Sequence, residues 1–363
     1  MKTVPIYSKN TPDSNHFEAL KKLVYNSRNG FPKGKLLLLQ LKAFLLPIFF
    51  FAVYITALQV KYIAAFYLLY AALGIILVII FLNIVHEACH NTLFKSKRLN
   101  SLFASLLDVL GANSFIWKAR HTKLHHNYPN VLGWDSDIEK SGLLKIHPHV
   151  KTKKLHTYQH KYFLLLYPTI VASWLFARDF KDFFFKTRLV RKVVSIPAKE
   201  YIKLFFFKSL FFFYILAVPF LFFNRTFLEC LLAFAIMLFV ASILALLVLL
   251  TPHVNDTNEF PKVEDENQLS NSWFMHQLVT TNDVTTSNCL TKFLMANFNF
   301  HIAHHLFPNI SFVYAPEVTK IIKNYTDEHN LPYRSYSLTT ALKYHYRLIK
   351  SNSVTIDLFE EDM

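Results

Sequence analysis

Charge is what this chain has least of for its size. Asp, Glu, Lys and Arg together make up 17% of its 363 residues, against about 25% in an ordinary soluble domain. Hydrophobic residues fill the gap at 53%, which makes lipid part of the solvent. Acidic groups are the scarcer kind: 24 Asp and Glu stand against 39 Lys and Arg, a net charge of +15. Cysteine is nearly missing. Cys89, Cys230 and Cys289 are odd in number, far apart and without a C-x-x-C pair, which argues against a disulfide framework or a thiolate metal site. No recognition helix, zinc finger or arginine-rich arm is present, so nucleic acid is set aside as a partner. The basic excess, which flanks apolar runs, is assigned to a membrane. The first thirty residues are polar, with Lys2, Asp13, Asn15, Lys21 and Lys22. They lack the basic-then-apolar order of a cleaved signal peptide.

Long apolar runs are what the chain has in place of charge. Four of them, roughly 36–58, 62–85, 204–223 and 228–250, reach the about 20 residues that a helix needs to cross a bilayer. Val60-Lys61 separates the first pair and Asn224-Arg225 the second, so each pair reads as a helical hairpin. Pro47 and Pro219 lie inside runs, where membrane helices tolerate kinks. Lys and Arg gather before the first run, between the second and third, and after the fourth. The positive-inside rule then puts both termini and residues 86–203 in the cytoplasm. The expected fold is all-α and integral to the membrane: four transmembrane helices in two hairpins beneath a cytoplasmic helical cap. The expected division is an N-terminal segment 1–35, a membrane domain 36–350 with its cap in 86–203 and 251–350, and a tail 351–363 ending in the acidic Glu360-Glu361-Asp362. Two weaker stretches, Leu99–Leu110 and Phe163–Phe176, read as interfacial helices. The second is short and interrupted by Pro168. Were it a fifth span, Arg178, Lys181, Lys186, Arg188, Arg191 and Lys192 would lie outside, against the charge rule.

The 17 histidines cluster. His86 and His90 form H-E-A-C-H where the second run ends. His121, His125 and His126 form H-T-K-L-H-H. His301, His304 and His305 form H-I-A-H-H. His253 follows the fourth run. Residues three or four apart share a helix face, so each cluster can aim its imidazoles at one point, and the topology above puts all of them on one membrane side. Neutral imidazole suits Fe, Zn, Cu or Ni. A catalytic zinc takes three protein ligands and a structural zinc four. Nine candidates are too many for one ion and about right for two. Glu-x-x-His occurs once, at Glu87–His90, where soluble di-iron bundles carry two such motifs and further Glu, so the site is nitrogen-rich. Of the others, His276 is evenly balanced between ligand and support, and His156 and His160 lean towards structure or support. His16, His147, His149, His329 and His345 read as surface, so that losing His147 is expected to be silent.

At these residues the chain resembles the membrane fatty acid desaturases with three histidine boxes. The likeness extends past the histidines. Trp117-Lys118, His121, His125-His126, Asn130, Gly133, Asp135 and Asp137-Ile138 are similar to that family's second box and its trailing run. His304-His305-Leu306-Phe307-Pro308-Asn309 is similar to the end of its third, and His156, Tyr158-Gln159-His160 and Thr280-Thr281 also match. The resemblance runs from about residue 40 to 320 and is strongest to the linoleoyl-CoA or front-end acyl branch. Glu87 and Cys89 stand where that branch has Asp and Gly, and His301 stands where it has Gln.

The resemblance implies an oxidoreductase that removes hydrogen from two adjacent methylenes of a long acyl chain, carried on CoA or lipid. O2 is the co-substrate and is reduced to water. It implies two Fe ions on His86, His90, His121, His125, His126, His253, His301, His304 and His305. Glu87, Asn130, Asp135, Asp137, His160 and His276 are the candidates to support those ligands. No H-P-G-G haem motif occurs, so a separate donor of ferredoxin or cytochrome b5 type is expected. Membrane lipid surrounds the chain, and a bacterial inner membrane is favoured over endoplasmic reticulum. Two rivals stand beside this reading. One is the same centre inserting oxygen, as a hydroxylase or ketolase of a lipid, carotenoid or alkane. The other is a metal transporter, which would place polar ligands within the spans.

Overall fold

Apolar side chains in runs of twenty or more form helices because lipid offers the backbone no other hydrogen-bond partner. In the computed structural model, which describes residues 4–353 apart from 10, 14, 139–141, 286–294 and 296, the first pair of runs forms α2 (Lys33–Gln59) and α3 (Ile63–Cys89). A short amphipathic helix, α1 (His16–Ser27), precedes them. Cys289 and the acidic tail lie outside the described residues. After α3 comes a bent pair, α4 (Lys97–Val109) and α5 (Ser114–His125), with 109° between them. Then follow α6 (Lys154–Phe184), α7 (Ala198–Phe222) and α8 (Phe227–Leu249).

α2 runs unbroken through Pro47, whereas a π turn at Phe213–Ala217 precedes Pro219 in α7. Thr226 starts α8 with a capping box: its hydroxyl accepts from Glu229 N, and the Glu229 carboxylate accepts from Thr226 N. α3 and α8 approach closely because Gly74 has no side chain. A Cβ there would meet the Met237 carbonyl oxygen at 2.4 Å, the small-residue contact that lets membrane helices pack backbone to backbone. Leu37, Leu41, Phe44, Leu45, Ile48 and Phe49 of α2 face outward. Such a surface suits lipid and would be an aggregation liability in water.

One reading needs correction. Phe163–Phe176 is not a short isolated stretch but the middle of α6, which has 31 residues. The helix absorbs Pro168 in a 3-10 turn at Tyr167–Thr169 and continues through a π turn at Trp174–Arg178, so the proline alters the ladder without ending it. Among the described residues, five helices are therefore long and apolar enough to cross a membrane.

The remaining elements gather at one end of these helices: α9 (Trp273–Thr280), α10 (His301–Leu306), α11 (Ala315–Glu328) and α12 (Leu338–Ser351). Leu20 and Val24 of α1 pack with Phe274, Ile302 and Ile322 in one buried cluster. Two parallel ribbons, β1 (Ile6–Tyr7) with β2 (Gln268–Leu269) and β3 (Asp283–Thr285) with β4 (Ser335–Ser337), tie distant segments together. Strands of two or three residues are too short to show a period in sequence, which is why a purely helical fold was expected.

A buried ionic network ties the bent pair to α6 and α7. Arg120, the residue before the second histidine box, donates to Asp182 at 2.9 Å with both side chains at most 2% exposed. Arg188 donates to the same carboxylate at 2.7 Å. Lys208 of α7 donates to the carbonyls of Gly111 and Leu175 and to Asp179. The cation inside the third run is thus paired within the protein.

Candidate metal centre

The nine histidines singled out in the sequence come together, and they divide into two groups. His86, His90, His121, His126 and His304 place one nitrogen each within 4.8 Å of one another; His125, His253, His301 and His305 do the same. His86 and His90 share a helix face as their spacing requires. The second box behaves differently from a regular helix. Residues 121–125 form a π turn, and His126 N bonds back to His121 O five residues away. His121 and His126 therefore point into the first group while His125 turns into the second. In α10, His301 and His305 serve the second group and His304 the first. Consecutive residues thus face neighbouring groups, and the His126 and His305 rings stack 4.5 Å apart at the boundary.

The chemistry of the donors fits a cation. In the second group all four Nδ1 atoms are occupied: His253 donates to Thr280 O at 3.2 Å, His301 to Phe298 O at 3.2 Å, His305 to Gln277 Oε1 at 2.9 Å and His125 to Asp135 at 3.2 Å. A carbonyl only accepts, so the Nδ1 of His253, His301 and His305 carries the proton and the Nε2 of each is left with a lone pair. Yet His301 Nε2 and His253 Nε2 lie 2.8 Å apart. Two lone pairs at that distance repel unless a positive ion sits between them. Around His121 Nε2 the nitrogens of His86, His90 and His126 lie at 3.0, 3.0 and 3.1 Å, and one N–H cannot serve three acceptors. Metal–imidazole bonds of roughly 2.0–2.1 Å set at right angles would hold adjacent nitrogens roughly 2.9 Å apart, which is the spacing found.

Burial, with the neighbouring imidazoles, holds His253, His301, His304 and His305 well below their ordinary pKa. They are neutral and ready to ligate. His125 goes the other way: burial lowers it, but Asp135 and Asp137 outweigh that and push it up to about 9. Without a cation it keeps a second proton, and a metal ion would displace the one on Nε2.

The candidate supports are less uniform. Asp135 accepts from His125 Nδ1 and from the backbone of Asn130 and Asp137. Asn130 is held at φ +58°, and its amide donates to the carbonyls of His253, Glu259 and Thr280. It therefore ties the second box to the His253 segment. Asp137 lies 3.7 Å from His125 and pairs with Arg178 at 3.3 Å. Glu87 bonds to Thr92 and to Phe312 N instead of an imidazole. It anchors the loop that follows the third box. His276 donates to Pro129 O, next to Asn130. His160 meets Ser353, away from the histidine groups.

Sequence reasoning missed Gln277, fully buried and the acceptor for His305, although an amide in the mostly apolar α9 was the available signal. It also missed the weight of Trp117, whose ring stacks on His121 at 4.9 Å and 13°.

His147 and His345 are not surface residues. They are 3% and 2% exposed. His147 Nε2 donates to Asn130 O at 3.2 Å, and His345 Nδ1 donates to Val254 O at 2.6 Å. Periodicity could not show this, because the segments that cover them are distant in sequence. Burial lowers His147, His276 and His345 each to about 4, against roughly 6.5 in an unfolded chain. Between those values the unfolded state binds the extra proton and the folded state does not. Stability is therefore full near neutrality and falls as pH drops from about 6.5 to 4, by up to about 1.4 kcal/mol per pH unit for each histidine. Thermal unfolding should move to lower temperature between pH 7 and pH 5, and His345→Gln should reduce the slope. A melting temperature independent of pH over that range would contradict the assignment. His147→Ala, contrary to the sequence reading, should cost stability.

Comparison with known proteins adds an independent line. The family model described as fatty acid desaturase matches residues 62–337. The sn-1 linoleoyl-lipid 6-desaturase of Arthrospira platensis is 27% identical over 274 residues, covering 75% of this chain and 74% of its own length. The protein of that name from Synechocystis is 26% identical over 279 residues, covering 74% and 75%. An acyl-lipid (8-3)-desaturase of Physcomitrium patens is 29% identical over 279 residues, covering 75% of this chain and 57% of its own length.

Proposed function

Because the chain belongs to the fatty acid desaturase family, and is thus an oxidoreductase of unsaturated fatty acid biosynthesis, we propose that nine histidines hold two iron ions with which it places a double bond in a long acyl chain. One observation carries the reading: Nε2 lone pairs from four separate stretches of chain converge in two adjoining groups at 2.8–3.1 Å from one another. Iron and O2 supply the oxidising power that an unactivated C–H bond demands. The protein supplies the rest. Asp135, Gln277 and the carbonyls of Thr280 and Phe298 keep the Nδ1 protons of the second group in place and so aim its Nε2 atoms. Burial keeps water from the ligands. The two electrons come from a separate redox protein.

The reading carries a topology with it. His126 and His253 lie on the same membrane face, so the chain between them crosses an even number of times. α7 and α8 supply two crossings. α6, a single helix, then lies along that face without crossing. Its Val171 N donates to Ser242 Oγ of α8 at 3.1 Å, while Asp179 and Asp182 near its far end accept from Asn113 N and Arg120 of the α5 segment. The bent pair α4–α5 starts and ends on one face, since His90 and His121 belong to one group. Lys and Arg on this side make it the cytoplasmic face.

Expression in a host that makes no polyunsaturated acids, followed by mass spectrometry of its fatty acids, tests the reaction. A product two hydrogens lighter than its precursor is expected. Gain of one oxygen instead would replace desaturation by hydroxylation at the same centre.

A further inference from the structure

The segment before α1 is tied down more firmly than a chain end usually is. β1 pairs in parallel with β2, Ile6 opposite Gln268 and Tyr7 opposite Leu269, and Ser8 N donates to Leu269 O at 3.2 Å. This sets Tyr7 against the residues that follow the second histidine box. Its hydroxyl donates to Asn127 O. In return the Tyr128 hydroxyl donates to Pro5 O at 3.1 Å. The two rings stack 5.9 Å apart at 8° and pack with Leu124 of the box in one apolar cluster.

Asn127 and Tyr128 are the residues that close the box. α5 ends at His125, and the last four carbonyls of a helix find no partner within it. The Asn127 amide donates to those of Thr122 and Lys123 at 3.3 and 3.0 Å. Tyr128 N donates to those of Leu124 and His125 at 2.8 and 3.2 Å. What holds these two residues therefore holds the π turn at 121–125, which parts His125 from His126. The N-terminal segment also reaches the supports on α9. The Tyr7 ring stands edge-on to His276 at 5.2 Å and 69°, and Ser272, which caps α9, donates to Asp13.

We propose that Tyr7 is a positioning residue of the metal centre: its grip on Asn127 fixes the turn that sends His125 and His126 to different groups. The proposal rests on the two-metal reading of those histidines and adds to it a residue 120 positions before Asn127. Tyr7 acts on the backbone that closes the box, not on a ligand imidazole. Asn127 is exposed. Without Tyr7 its carbonyl would bond to water, which satisfies the oxygen but does not hold it in place. The ring of Tyr7 packs on Tyr128, so the hydroxyl arrives from a fixed direction. The effect is thereby assigned to one oxygen atom.

The test compares the full-length parent with Tyr7→Phe, which deletes one hydroxyl and keeps the ring, both purified in detergent. In the metal-free proteins, hydrogen exchange at the amides of His126 and Tyr128 should run about fivefold faster in the variant, a change that one net hydrogen bond can supply. Exchange in α8 should stay the same. Titration with iron(II) should show binding weakened by about the same factor, and the Mössbauer spectrum of the iron-loaded variant should differ from that of the parent. Tyr128→Phe removes the reciprocal bond and should act in the same direction. The double variant should lose less than the two single effects combined, since either change alone opens the contact. Unchanged exchange in Tyr7→Phe, or unchanged iron affinity, would overturn the proposal. So would exchange that rises equally in α8 and the box, because a contact that only stabilises the fold does that. The parent separates the two readings. If it binds no iron, the metal reading fails, and exchange at His126 and Tyr128 still decides whether Tyr7 fixes the turn.

Discussion

His304→Ala is expected to abolish double-bond formation and to lower bound iron. His304 Nε2 lies 3.1 Å from His86 Nε2, and its ring lies 4.5 Å from that of His126, so its loss opens the first group on the side of the third box. Removing an outer partner of a metal ligand costs roughly 10–100-fold in affinity or activity. Removing a ligand itself should cost more than 100-fold. The comparison is informative within this protein. Gln277→Leu deletes only the acceptor for His305 and should fall in the smaller range, with iron retained more fully than in His304→Ala. Iron per chain by elemental analysis and product by mass spectrometry check both. Full activity with full iron in His304→Ala would remove the first group from the mechanism.

Asp182→Ala should be the most damaging change away from the histidines. Arg120 is 1% exposed and Asp182 is the carboxylate that neutralises it. Removing one partner of a buried pair leaves a stranded charge, at a cost of roughly 3–5 kcal/mol. A typical fold has roughly 5–15 kcal/mol in all. Little folded protein should accumulate, and what does should melt at lower temperature. Arg120→Met should be milder, because Asp182 keeps Arg188 at 2.7 Å. The Arg120→Met/Asp182→Leu pair should recover part of the loss, since apolar replacement of a buried ion pair is often neutral or stabilising. Equal stability of Asp182→Ala and the parent, by thermal unfolding in detergent, would show that Arg120 finds another partner.

Much of the candidate centre was legible because its histidines lie in short runs. A histidine pair at i and i+4 declares itself in any sequence, and His86/His90 behave as read. The split of His125 from His126 was not legible, because it depends on a π turn at 121–125 that no residue type announces. The supports were legible only where they sit next to a ligand run, as Asn130 and Asp135 do. Gln277 and Thr280 reach the centre through tertiary contact from a segment with no candidate histidine ligand of its own, whereas the Phe298 carbonyl is local to His301. The helices followed the apolar runs closely, since lipid leaves a helix no competitor. The length of α6 was misjudged because Pro168 was taken to interrupt it, although the helix absorbs that residue in a 3-10 turn. His147 and His345 were misjudged because a polar side chain is buried willingly when a backbone carbonyl awaits it.

Adjacent residues facing different groups has a consequence for how the protein fills. His125 with His126, and His304 with His305, are each joined by a single peptide bond, yet each pair divides between the two clusters. An ion that draws in one member fixes the backbone from which the other projects. The first ion bound would therefore preorganise the seat of the second, and loading should be cooperative, with half-filled molecules scarce at any iron supply.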